Sequence, residues 1–100
     1  MFPYAPWRSL ALRKFHNALG VAAATRPTSP VTLVRPHAAA RAARFFTERF
    51  PGKCLYAVKA NPSPDLLRTL WSSGVTHFDV ASINEVRLVR AVLSEATLCF

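Results

Sequence analysis

A short apolar segment that ends in a lysine places the strongest constraint on how this chain can fold. Residues 55–58 read Leu-Tyr-Ala-Val, Lys59 follows, and Asn61-Pro62 indicates a turn. In a strand, alternation places Leu55, Ala57 and Lys59 on one face and Tyr56 and Val58 on the other. A strand that is apolar on both faces is typical of a parallel sheet covered by helices.

Lys59 would then lie at the carboxyl end of its strand, where α/β folds build their active sites. A lysine that is partly desolvated there has an amine available as a nucleophile toward an aldehyde. The alternative is a lysine that ends the strand by reaching into water. Position alone favours that alternative, so the interpretation depends on the neighbouring residues.

The flanking sequence predicts alternating helices and strands. A helix runs over residues 36–49 and Pro51-Gly52 ends it, and the lysine strand spans about 53–59. The next helix has Ser63 as N-cap, and Gly74 follows its end. A second strand covers 75–81, Ser82-x-x-Glu85 forms a capping box that starts another helix, and residues 96–100 begin a third strand. This order predicts a parallel sheet built from βαβ units.

Each predicted helix has an apolar stripe with helical spacing. The expected core positions are Ala39, Ala42, Phe45 and Phe46, then Leu66, Leu67, Leu70 and Trp71, and finally Ile83, Val86, Val89 and Leu93.

Residues 1–30 are the least informative part of the chain. A helix is predicted over residues 10–19, with Ser9 as a possible N-cap and Gly20 as its end, and residues 21–30 are interpreted as a linker. Residues 31–34 form a predicted strand after Pro30. The segment contains arginine and no acidic residue, as a mitochondrial transit peptide does, but it is poor in serine, and a short helical arm is the favoured interpretation.

The chain is basic, with a formal net charge of +8 and no acidic residue before Glu48. A surface for nucleic acid or an anionic membrane is one interpretation. Because no Lys/Arg run exceeds two residues, scattered surface charge is favoured instead. Cys54 and Cys99 stand alone, which predicts free thiols in a reducing compartment. No metal site is predicted, and no apolar run approaches the ~20 residues that span a bilayer.

Two motifs carry a family resemblance. Tyr56-Ala57-Val58-Lys59-Ala60-Asn61-Pro62 resembles the cofactor-lysine motif of the pyridoxal-phosphate-dependent decarboxylases built on an alanine-racemase-like barrel (fold type III). The second motif is Phe78-Asp79-Val80-Ala81-Ser82, with Glu85 three residues after the serine. Together they resemble the ornithine/lysine/diaminopimelate decarboxylase family, and its bacterial-type ornithine decarboxylases most closely, from about residue 31 onward.

The resemblance implies an α/β fold, namely the N-terminal portion of a (β/α)8 TIM-type barrel. Such barrels usually need ~250 residues, so this sequence is expected to be the front part of a longer enzyme. Residues 1–30 would be an arm and linker, and residues 31–100 the start of the barrel that binds the cofactor. The strand at 31–34 would join a separate β domain. Family members are homodimers with shared active sites, so the 100-residue piece alone is predicted to be inactive.

The implied function is decarboxylation of a basic amino acid with pyridoxal 5'-phosphate as cofactor. L-ornithine would give putrescine, a step of polyamine biosynthesis, in the cytoplasm. The implied catalytic residue is Lys59, which holds the cofactor as a Schiff base. Ala57 would line the cofactor pocket, and Asp79 would favour the charged form of the lysine nitrogen. The alternative for Asp79 is an anchor for a backbone group of the next loop.

Asn61 is predicted to stabilise the turn after the strand, and Glu85 to act first as the partner of Ser82. The phosphate loop, the acidic partner of the pyridine nitrogen and the general-acid cysteine would come later in such enzymes. A small-molecule substrate is expected, with no nucleic acid and no membrane partner.

Three alternatives stay open. The substrate could be lysine or diaminopimelate, with arginine less favoured. A non-catalytic basic module could bind nucleic acid, although its aromatic residues fall on predicted core stripes. A degenerate relative could keep the lysine without turnover.

Overall fold

A computed structural model describes residues 13–100 of the chain. Residues 36–100 belong to one compact unit, and the described residues before them belong to a second. The elements in chain order are α1 (Ala18–Thr25), α2 (Pro36–Arg49), β1 (Leu55–Ala57), a 3-10 turn (Val58–Ala60), α3 (Pro64–Ser72), β2 (His77–Asp79), α4 (Ile83–Val92) and β3 (Thr97–Cys99). The predicted division of the chain at residue 30 stays a prediction.

The three described strands form one parallel sheet in the order β1-β2-β3. Phe78 lies in the central strand with no exposed surface, and Tyr56 and Leu98 are its register neighbours on either side. This face carries the core, which also includes Val58, Val80, Leu67, Leu70, Val89 and Leu93. The predicted α/β architecture with parallel βαβ units is therefore confirmed, whereas closure into a barrel stays a prediction.

The helices between the strands begin and end close to the predicted positions. Pro64 starts α3 at a position that needs no hydrogen-bond donor, and α3 ends before Gly74, whose φ of +102° suits a residue without a side chain. Leu67 and Leu70 are buried in the core and Trp71 packs against it, as predicted. Val89 in α4 and Leu93 just after its end are buried, but Ile83 is 60% exposed, so its predicted core position is wrong. Ile83 is the first residue of α4, and Leu88 fills the core instead.

Helix α2 has the predicted bounds but buries a different stripe. The buried residue is Ala43, whereas Phe45 and Phe46 are 58% and 55% exposed and Ala42 is exposed too. Of the predicted stripe, Ala39 alone is half-buried. The periodicity allows a second stripe, because Ala39, Ala40 and Ala43 share one side of the helix. The two phenylalanines instead pack edge to face on each other, with ring centroids 5.6 Å apart.

The segment before residue 36 differs from the prediction. Helix α1 covers Ala18–Thr25, so Gly20 lies inside it, and part of the predicted linker is helical. The Asn17 side chain caps this helix, because its Oδ1 accepts a hydrogen bond from Gly20 N at 2.9 Å. Ser9 and residues 10–12 of the predicted helix lie outside the described residues. Residues 31–34 form no strand, because no described strand pairs with them.

Candidate active site

Lys59 lies on a 3-10 turn that follows β1, and not on the strand itself. The predicted strand over 53–59 is therefore too long, since its ladder ends at Ala57. Val58 has no exposed surface, and its burial accompanies the change from strand to turn. Lys59 is exposed and makes no hydrogen bond or ion pair with any residue among 13–100. Its amine is consequently free to bind a ligand.

Hydrogen bonds fix the turn on the far side of Lys59. The Tyr56 hydroxyl donates to the Asn61 carbonyl oxygen at 3.0 Å, and Ser63 N donates to Asn61 Oδ1 at 3.1 Å. Asn61 therefore stabilises the turn, as predicted. Ser63 occupies the N-cap position of α3, but its side chain makes no capping hydrogen bond, which corrects that part of the prediction.

The Tyr56 phenol is half-buried beside the core. Burial raises the pKa of this phenol above its ordinary value of 10.0. The hydroxyl is therefore neutral at physiological pH and keeps the proton that it donates to Asn61.

Ala57, Asp79 and Cys99 form one row across the sheet, because β1, β2 and β3 pair at these positions. They lie on the face opposite Phe78, since alternate residues of a strand point to opposite faces. Ala57 and Cys99 are half-buried, and Asp79 is exposed. Each strand ends at its member of this row.

The row lies at the same end of the strands as Lys59. Lys59 follows Ala57 by two residues, so their Cα atoms are at most about 7 Å apart. Neighbouring strands are about 4.8 Å apart, so Asp79 lies beside Ala57. No ion pair within 4.0 Å joins Asp79 to Lys59 in the described part of the chain. Neither charged group has an ion-pair partner among these residues.

The structure does not support Asp79 as an anchor for the next loop. Asp79 makes no hydrogen bond with another described residue, and the loop amide of Ala81 donates to Glu85 Oε1 at 3.3 Å instead. Ser82 and Glu85 form the predicted capping pair, because Glu85 N donates to Ser82 Oγ at 3.2 Å and Ser82 Oγ donates to Glu85 Oε2 at 3.1 Å. Both oxygens of Glu85 are therefore occupied in starting α4.

Sequence reasoning did not place Cys99 in the site. The signal was present, since Cys99 ends the third strand as Ala57 and Asp79 end the first two. Cys99 and Cys54 are both free cysteines, as predicted. No group of three His, Cys, Asp or Glu side chains within residues 13–100 is arranged to hold a metal ion. Among the described helices, none has the length and apolar character needed to cross a bilayer.

A separate groove lies between α2 and α3, with a volume of about 450 Å³. Its lining includes His37, Arg44 and Arg68, and it contains none of Ala57, Lys59 and Asp79. Arg68 is paired with Asp65 at 3.2 Å. The predicted site at the open end of the sheet thus lies apart from this groove.

The sequence profile of one family matches residues 36–97, which run from the start of α2 to the first residue of β3 and include Ala57, Lys59 and Asp79. That family is described as pyridoxal-dependent decarboxylase, pyridoxal binding domain. The chain belongs to the pyridoxal-dependent decarboxylase family. No curated protein and no solved structure matches it significantly.

The pyridoxal-binding domain takes pyridoxal phosphate as its cofactor, and the open end of the sheet fits that group. The Lys59 amine has no partner among the described residues. Ala57 is small and leaves space on the open face beside the turn. The Asp79 carboxylate, in the next strand of the same row, is free to balance a positive charge. The pyridoxal-binding domain thus presents an amine, a carboxylate and a shallow floor at one end of its sheet.

Proposed function

We propose that the protein decarboxylates a basic amino acid, most favourably L-ornithine to putrescine, and that Lys59 holds the cofactor. One observation carries this proposal. Within the segment matched by the decarboxylase family, a turn at the carboxyl end of a parallel strand presents a lysine with a free amine. The cofactor supplies an electron sink for the electron pair released when the carboxyl group leaves as carbon dioxide.

Each residue has a separate task in this proposal. The Lys59 Nζ would hold the cofactor at its aldehyde group and would thereby fix the position of the cofactor on the turn. The Asp79 carboxylate stabilises positive charge at that nitrogen, and no competing hydrogen bond in the described residues weakens it. Ala57 keeps the open face flat beside the strand end, and a larger side chain there would occupy the space of the ring.

Ornithine as substrate is supported by the residues around the two motifs. Racemase-type relatives follow Lys-Ala-Asn with Ala-Tyr-Gly-His-Gly, whereas this chain has Pro62-Ser63-Pro64. Pro64 is buried at the first position of α3, so this sequence sets the path out of the lysine turn. Diaminopimelate decarboxylases tend to have Val-Ser-Gly-Gly-Glu where residues 80–85 read Val-Ala-Ser-Ile-Asn-Glu. Lysine is the nearest alternative substrate.

The proposal extends to the whole enzyme. We infer a cytoplasmic homodimer with active sites shared between subunits, in which residues 31–100 begin a (β/α)8 barrel and the isolated 100-residue piece has no turnover. Light scattering of the purified protein tests the dimer, and cell fractionation tests the location. Decarboxylation by the 100-residue piece alone would contradict this proposal.

A non-catalytic basic module that binds nucleic acid remains the alternative to an enzyme. Phe45 and Phe46 are exposed on α2, so the expectation that they lie in a core no longer argues against it. The family match argues against it instead, because that match covers α2 itself. Binding of RNA or DNA that weakens steeply with salt would revive this alternative.

The decisive experiment compares two of the three lysines of the chain. The purified protein is incubated with pyridoxal phosphate, reduced with borohydride, and mapped by peptide mass spectrometry. We expect the adduct on Lys59, its loss in Lys59→Ala, and its retention in the matched control Lys53→Ala, which removes an exposed lysine just before β1. Equal labelling of Lys53 and Lys59 would show unspecific amine chemistry and refute the assignment. Carbon dioxide release from ornithine, lysine and diaminopimelate then ranks the substrates.

A further inference from the structure

A hydrogen bond closes the chain around Lys59. The Tyr56 hydroxyl reaches the Asn61 carbonyl oxygen at 3.0 Å, so residues 57–60 lie inside a loop that this bond completes. Lys59 is therefore carried on a segment tied at both ends. The last residue of β1 precedes it, and Asn61 follows it.

The two groups that make this bond are themselves held in place. The Tyr56 ring packs edge to face on Phe78, with centroids 6.3 Å apart, and Phe78 is fully buried in the central strand. Asn61 is held from the other side, because its Oδ1 accepts from Ser63 N at the entry to α3. The bond thus connects the core of the sheet to the start of a helix across the lysine turn.

Lys59 contributes nothing to its own orientation, since its side chain is exposed and without partner in the described residues. The backbone of the turn therefore sets the point from which its side chain leaves, and with it the region that the amine can reach. Val58, fully buried, fixes one side of that backbone. On the other side, the backbone is held by the hydrogen bond from the Tyr56 hydroxyl and by the Asn61 side chain, which accepts a hydrogen bond from Ser63 N.

We propose that Tyr56 is a positioning residue, whose hydroxyl holds the turn in the conformation in which Lys59 binds the cofactor. The proposal rests on the proposed role of Lys59. The phenol is protonated at neutral pH and hence a donor, and burial raises its pKa further. Without this hydrogen bond, the turn samples other conformations. Only a fraction of the molecules then has the conformation that binds the cofactor, which lowers the apparent affinity for the cofactor.

The test variant is Tyr56→Phe, which keeps the ring on Phe78 and removes only the hydroxyl. The matched control is Thr69→Val in α3, which removes a hydroxyl that donates to the Asp65 carbonyl oxygen at 2.9 Å, a bond of the same kind outside the lysine turn. Both variants are compared with the natural protein for their unfolding midpoint, their pyridoxal phosphate dissociation constant and the rate of borohydride-fixed adduct formation on Lys59.

We expect Tyr56→Phe to weaken cofactor binding about two- to tenfold and to slow adduct formation, which is the effect of losing one hydrogen bond. Thr69→Val should leave the pyridoxal phosphate dissociation constant and the rate of adduct formation unchanged, although its unfolding midpoint should shift by a similar amount. Unchanged cofactor binding in Tyr56→Phe would overturn the proposal, and so would equal weakening in both variants, which would reveal a general loss of stability. If the natural protein forms no adduct on Lys59, the proposed function fails as well, so the two failures are distinguishable.

Discussion

Replacing Val58 by alanine should destabilise the protein strongly, because Val58 has no exposed surface and belongs to the core cluster. The substitution removes two buried carbon atoms, each worth about 0.8 kcal/mol of transfer free energy. The cavity that remains adds about 1 kcal/mol, since the surroundings collapse only partly. The expected loss is therefore about 2–3 kcal/mol, or about 30- to 150-fold in the unfolding equilibrium.

Urea unfolding followed by circular dichroism measures this loss, and Val34→Ala is the matched control. Val34 is 52% exposed, so the same substitution there should change the stability by no more than about 0.5 kcal/mol. Equal losses in the two variants would refute the reasoning that the core holds the lysine turn. Val58→Ala should also weaken cofactor binding, because the turn that carries Lys59 begins at this residue.

Four further substitutions test the local structure. Ser82→Ala removes the cap of α4 and should cost about 1 kcal/mol in a urea unfolding series, and no loss would show that the cap is not formed in solution. Gly74→Ala should destabilise the protein, because the φ of Gly74 is +102°. Gly20→Ala should stabilise it by up to about 1 kcal/mol, because Gly20 lies inside α1. Melting temperatures of the two variants that move in the same direction would contradict this. Burial raises the pKa of Tyr56, so its contribution to stability is complete below pH 10 and is lost as the pH rises through the folded-state pKa. Tyr56→Phe should therefore lose less stability than the natural protein between pH 9 and pH 11 in urea titrations, and identical curves would contradict the burial effect.

Local chemistry explains why much of the fold could be predicted. Proline at the start of α3, the pair Ser82 and Glu85 at the start of α4, and Pro51-Gly52 after α2 act within a few residues of themselves. The bounds of α2, α3 and α4 therefore follow from neighbouring residues. The parallel direction of the strands followed too, since short connections between alternating strands and helices leave few topologies open.

The orientation of α2 could not be predicted in this way. Both Ala43 and the pair Phe45 and Phe46 lie on helical stripes, and the phenylalanines have the larger apolar surface. Only the position of α3 decides which side is covered, because α2 packs on α3 and Ala43 joins the core. The strand predicted at residues 31–34 is wrong for a similar reason, because a strand exists only with a partner for its backbone groups.

The site shows the same division between local and tertiary causes. By itself the sequence determined that Lys59 ends an apolar segment, that Asn61 stabilises the following turn, and that Glu85 belongs to a helix cap, because each depends on residues within five positions. Only the tertiary structure decided that Lys59 leaves the strand on a 3-10 turn and that Ala57, Asp79 and Cys99 share one row. The register between strands sets that row, and register depends on how distant segments pack around Phe78, which no local pattern contains.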